Sequence, residues 1–260
     1  MKEGEDMGIK EVFLNPTVKQ VAFDIRFPNL FYLESKIGDF QVQIMEEFPE
    51  SALLFRRQIV FADMGPAVKI EEVEEKVDKE WATKVWNFKS PRNFELDVST
   101  STLVISSLHH KTYNLGVGDK FRDIIRFVVD KFLEVTSIPT INRIGLRYID
   151  ECPIPSKDNK TFRAYYNSVF PVDRFNMTDA NEMNFKTMVK RGDYFLRYIE
   201  SLQKVKDDYK LILDLDGFAT SINAKDYLAV TDKLHEIISD EYESAIKEPV
   251  KEYMRKPKEG

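Results

Sequence analysis

Cysteine is almost missing from this chain: Cys152 is the single one in 260 residues, which excludes an internal disulfide framework and disfavours a zinc site built on thiolates. Histidine is nearly as scarce, with 3 residues, and only 10 glycines are present, so phosphate-cradling loops and histidine metal clusters have little material. Gly116-Val117-Gly118 lacks the third glycine of a dinucleotide loop, and neither a Walker loop nor a G-x-S-x-G elbow occurs. No apolar run approaches the roughly 20 residues of a bilayer span. The start, MKEGEDMGIK, lacks the apolar segment of a secretory signal. These absences predict a cytoplasmic chain with no membrane partner and no cofactor. A surplus of positive charge is also missing. With 38 basic against 44 acidic side chains and a net charge of -6, no global field recommends a polyanion, which argues against a nucleic-acid partner.

What is present is a folding composition, 43% hydrophobic and 12% aromatic beside 32% charged, enough to bury a sizeable core. Residues 1–12 read as a loose arm. Val18 to Phe27 alternates as a strand with Val21, Phe23, Ile25 and Phe27 on one face. Leu30 to Phe48 carries a helical stripe closed by Pro49. Ala52 to Phe61 reads as a further strand, and Glu71 to Glu80 as a solvated acidic connector. Trp81 to Phe88, Phe94 to Val98 and Leu103 to Leu108 form a meander joined by turn residues. A second helix spans Gly118 to Val135.

The order then repeats. Ile141 to Ile149 is a strand and Thr161 to Phe170 a short helix. Met183 to Lys190, Tyr194 to Gln203 and Tyr209 to Phe218 are strands with turns at Arg191-Gly192-Asp193 and Lys206-Asp207-Asp208. A long helix starts near Ala224 and breaks or restarts at Pro249. Strand, helix, strands, helix therefore occurs twice, over 13–140 and 141–256, with no linker-like composition between. The expected fold is α+β: two pseudo-duplicated units whose antiparallel sheets join edge to edge with helices on one face, like a saddle or helix grip.

Asn15 to Phe27 (N-P-x-V-x-x-V-x-F-x-I-R-F), Trp86-Asn87-Phe88-Lys89-Ser90, Arg143 to Ile149 (RIGLRYI) and Leu213-Asp214-Leu215-Asp216 before a terminal helix with Leu234-His235 resemble a sporadically distributed, uncharacterised prokaryotic family of similar length. The resemblance implies one unit of full length. It carries no activity, cofactor or catalytic residue.

Arg143 and Arg147 lie four apart on one strand face with Gly145 between, so their guanidinium forks can converge on a carboxylate or phosphate, with Arg26 joining from the first strand and Tyr148 beside them. The alternative is pairing with Asp24, Asp150 or other strand carboxylates. Asp214 and Asp216 share a strand face at a spacing that suits a divalent cation or an acid/base pair, against the plain reading of a polar outer face. His109 and His110 are adjacent and point to opposite sides of an extended segment, while His235 sits on the stripe of the last helix, so the histidines read as structural. Cys152 beside Glu151 reads as a passive thiol. A nucleotide-stacking platform of Tyr194, Arg197, Tyr198 and Lys190 competes with aromatic core packing. The pattern as a whole points to a non-enzymatic module binding a small ligand or a protein. A metal-assisted phosphoester or nucleotide-processing enzyme using Asp214 and Asp216 is the alternative.

Overall fold

The computed structural model describes residues 11–57, 82–110, 112–205 and 208–257. The expected acidic connector at 71–80, the end of the second predicted strand, the start of the arm and most of the 206–208 turn lie outside the described residues. The first half runs β1 (Val18–Arg26), α1 (Leu33–Ile44), β2 (Glu50–Arg57), β3 (Ala82–Lys89), β4 (Phe94–Val98), β5 (Thr102–Ser107) and α2 (Phe121–Thr136). The second runs β6 (Thr140–Pro153), α3 (Asn159–Tyr165), β7 (Met183–Arg191), β8 (Tyr194–Val205), β9 (Asp208–Asn223), α4 (Tyr227–Ala245) and α5 (Glu248–Arg255).

Among the described residues, all nine strands belong to one antiparallel sheet in the order β2-β3-β4-β5-β1-β6-β9-β8-β7. The two halves meet where β1 pairs with β6, from Val18 opposite Asp150 to Arg26 opposite Arg143. Each half thus begins at the centre of the sheet, continues at the outer edge with β2 or β7, and returns strand by strand to β5 or β9 beside the centre. This α+β arrangement matches the order read from the sequence. Period-2 alternation gives the sheet one apolar face. Val21, Phe23 and Ile25 of β1, Leu103 and Ile105 of β5, Ile144 and Leu146 of β6, and Leu211, Leu213 and Leu215 of β9 are buried on it.

The helices cover that face. On α2 the stripe Phe121, Ile124, Ile125, Val128, Val129 and Phe132 is buried. Phe132 packs on Phe27 and, edge to face, on Phe40 of α1 with ring centroids 5.1 and 5.5 Å apart. Leu234 and Ile238 of α4 close over Gly217 of β9, whose missing side chain admits them. Pro249 falls in the first turn of α5, where a missing amide costs nothing, so the terminal helix restarts there. No helix among the described residues is long and apolar enough to cross a membrane.

Three boundaries differ from the sequence reading. The helix expected over 161–170 ends at Tyr165, because Tyr166 turns extended and bridges to Ile246. Met45, placed on the first helical stripe, is exposed just past the end of α1. Most consequential, β6 runs past Ile149 to Pro153, held by β9 along its whole length, which carries Asp150 and Cys152 onto the helix-covered face.

Candidate functional site

The two faces of the sheet separate the candidate residues. On the face away from the helices, Arg147 grips Asp214 with two parallel bonds, Nε to Oδ1 at 2.7 Å and Nη2 to Oδ2 at 2.6 Å. Arg143 donates to Asp24 and, at 2.8 Å, to Asp216. Arg197 approaches Asp216 at 3.2 Å and Arg26 approaches Asp24 at 3.4 Å. Gly145 makes this possible, since a Cβ there would collide with the Arg143 guanidinium and the Asp24 carboxylate. Arg143 also lies 4.9 Å from the centre of the Phe218 ring, which stacks on Phe195.

Burial works against charge on Arg143, yet its two aspartates more than offset it and raise its pKa. For Asp216 the balance goes the other way. Burial raises its pKa despite the two guanidiniums. The guanidiniums therefore face carboxylates, and Asp214 and Asp216 are each engaged by arginine. Among the described residues, no three His, Cys, Asp or Glu side chains are grouped to hold a metal ion.

Tyr148, the remaining sequence candidate, projects to the opposite face, into a cavity of about 110 Å³. The cavity sits between the end of β6, His110 and residues 112–115, the segment 11–18 entering β1, and the α4–α5 pair. Alternation along β6 sends Tyr148, Asp150 and Cys152 inward together, and all three are buried. Asp150 is only 5% exposed. Its Oδ1 accepts a hydrogen bond from Thr17 Oγ1 at 2.7 Å, and Thr17 in turn lies 2.5 Å from the Tyr242 hydroxyl of α4. No described side chain donates to Asp150 Oδ2, and that atom is not sealed in the protein, since among the described residues no buried side-chain oxygen lacks a partner. It opens on the cavity. Burial, opposed only by the Thr17 bond, lifts the Asp150 pKa from 3.8 to about 7.

Glu200 of β8 offers a contrast on the same face. It too is fully buried, but it accepts from Tyr198 at 2.8 Å, from the Val169 amide at 3.3 Å and from Ser168.

The other end of the cavity is aromatic. His235 stacks on Tyr113, centroids 4.1 Å apart, and its Nδ1 lies 3.4 Å from the Tyr148 hydroxyl. His110 meets Phe121 and Tyr148 edge to face. Tyr113 is anchored by donating to Asp232 at 2.8 Å, and Arg122 holds that carboxylate bidentately at 2.7 and 2.8 Å. Desolvation, with His235 nearby, lowers the His110 pKa to about 3. Desolvation lowers that of His235 to about 4, against the pull of Asp232 and Glu236. Both rings are neutral near pH 7, and each then offers one acceptor nitrogen and one donor. The hydroxyls of Tyr148 and Tyr242 are pushed up, chiefly by burial. Burial does the same to the Cys152 thiol, so none of these groups is a nucleophile at neutral pH.

The sequence reading treated His110 and His235 as separate structural residues. The fold brings them to one cavity from positions far apart in the chain. The signal available in the sequence was the inward register of Asp150, which follows Ile144, Leu146 and Tyr148 on the buried side of β6. Searches against protein families, curated proteins and solved structures find no match, so the chemistry of the site rests on its own geometry.

Proposed function

We propose that this protein is a non-enzymatic, cytoplasmic module that binds a small ligand in the cavity between β6 and α4. One observation carries the reading: the cavity collects a buried carboxylate with an open oxygen, two neutral histidines and the rings of Tyr113 and Tyr148. Concave sites with apolar walls and a few convergent polar groups of shifted pKa are where ligands bind. Catalysis finds less support. The polar groups are held as weak acids and neutral rings, and the hydroxyl bonded to the Asp150 carboxyl, that of Thr17, is itself buried and shared with Tyr242. Asp214 and Asp216, the residues of a phosphoester chemistry, lie on the other face of the sheet and pair with arginine.

The size of the cavity bounds the part of a ligand that it encloses. An apolar cavity of about 150 Å³ admits benzene, so this one suits roughly four to six non-hydrogen atoms. The test is a panel of such molecules followed by NMR of the His110 and His235 ring protons and by thermal melting. A ligand that shifts both histidines, raises the melting temperature and is recovered unchanged supports the reading. If no compound moves these resonances, or if binding persists unaltered when Ser239→Phe fills the cavity, the reading falls.

A further inference from the structure

Among the described residues, the cavity wall carries acidic charge only. Its described lining residues include Glu11 and Asp150 and contain neither lysine nor arginine. The two acids differ in their surroundings. Glu11, at the rim, is bonded by the Arg255 guanidinium of α5 at 2.6 and 3.1 Å. Among the described residues, Asp150, at the floor, has Thr17 as its one side-chain donor and no cation beside it. A carboxylate buried without a counter-ion is an unstable arrangement that a bound cation relieves.

The remaining polar groups point to the same kind of ligand. His110 and His235, as neutral rings, and the oxygens of Thr17, Tyr148 and Tyr242 supply acceptors around the floor and wall. An ammonium group brings three donors and no acceptor. Phe13, Leu115, Ile238 and Met254 complete the lining and suit a short hydrocarbon stem.

We infer that the ligand is a small organic cation, a primary alkylamine of about five non-hydrogen atoms, whose ammonium pairs with Asp150 at the cavity floor. This rests on the ligand-binding reading above and specifies the class of molecule for the same site. Protons compete with such a ligand for Asp150. The titratable groups around that carboxyl among the described residues are Tyr148 and Cys152 on its own strand, Tyr242 and His235 on α4, His110 in the segment after β5, and Glu11 in the entering segment, whose bond to Arg255 lowers its pKa and keeps it charged. Of these, the tyrosines and the thiol stay protonated and both histidines stay uncharged between about pH 5 and 8. Asp150 is therefore the group whose titration controls cation binding in that window, and affinity falls about tenfold per pH unit below 7.

The experiment is calorimetric titration of the whole protein with n-butylamine, 1-butanol and butyrate, three probes of nearly one size and three charges, at pH 8 and pH 5.5. The expected result is binding of butylamine at pH 8 at least tenfold tighter than butanol, with butyrate undetected. At pH 5.5 butylamine binds more than tenfold less tightly and releases a proton on binding. Asp150→Asn, checked for folding by its melting curve, abolishes the preference of amine over alcohol, whereas Glu11→Gln keeps it. Butanol binding as tightly as butylamine, or an amine affinity equal at the two pH values, overturns the cation while leaving the ligand cavity standing. Loss of preference in Glu11→Gln with retention in Asp150→Asn places the cation at the rim and also overturns it. If no probe binds at either pH, the cavity reading and the cation fail together.

Discussion

Replacing Asp150 by Asn tests the electrostatics of the cavity floor without any ligand. The carboxyl titrates near 3.8 when exposed and near 7 in the fold, so the folded chain holds this proton more tightly than the unfolded one. The stabilisation is complete below about pH 4 and is lost as pH rises through 7. A shift of about three units at 1.36 kcal/mol each amounts to roughly 4 kcal/mol. That is a large share of the 5–15 kcal/mol typical of a domain. Asn imitates the protonated acid in shape and charge and does not titrate. Urea unfolding of both proteins at several pH values between about 4 and 8 isolates the effect, because every other group cancels in the difference. The stability of wild type minus that of Asp150→Asn is expected to fall by roughly 4 kcal/mol across this range, with most of the change between pH 4 and 7. A difference constant to within about 1 kcal/mol would refute the claim that this carboxyl is buried without a counter-ion.

Three further outcomes are expected. His110 has the opposite sign: its folded pKa is depressed from 6.5 to about 3, so its contribution is complete above 6.5 and lost as pH falls. His110→Phe should flatten the acid limb of the stability profile by about 1.4 kcal/mol per pH unit between 6.5 and 4. Gly145→Ala places a methyl against the Arg143–Asp24 contact, and displacing that partly buried pair should cost about 1–3 kcal/mol by urea unfolding while leaving butylamine binding unchanged, since it lies across the sheet. Arg122→Ala releases the Asp232 carboxylate that anchors Tyr113, and should loosen the Tyr113–His235 stack, visible as a change in the His235 ring shifts at a stability cost of about 1–2 kcal/mol.

The sheet was legible in the sequence because each strand obeys a local rule. Val21-Phe23-Ile25, Phe94-Leu96-Val98 and Leu211-Leu213-Leu215 alternate cleanly, and alternation fixes which way each side chain faces. The same rule placed Arg143 and Arg147 together and opposite the buried face. Strand order was legible only as a guess from repetition, since pairing of β1 with β6 is decided between residues more than a hundred positions apart. The cavity was not legible as a unit. Thr17, His110, Asp150 and His235 come from four segments, and nothing in the local pattern of any of them marks it as part of a shared site. A strand that stops at Ile149 leaves Asp150 outside the alternation that assigns it inward, and that alternation is the one local sign of the site.

The seam between β1 and β6 also shapes how the chain reaches this fold. β3, β4 and β5 are joined by short turns, as are β7, β8 and β9, so two hairpin arrays can organise from nearby residues. The central pairing must instead close a loop of more than a hundred residues, and closure entropy is spent before its contacts form. Folding should therefore be slow and limited by the docking of two preformed arrays, with Phe23→Ala slowing refolding less than it speeds unfolding. Until that docking occurs, β1 and β6 each expose a long unpaired edge, and two partly folded copies can pair through them, so refolding yield should drop as protein concentration rises.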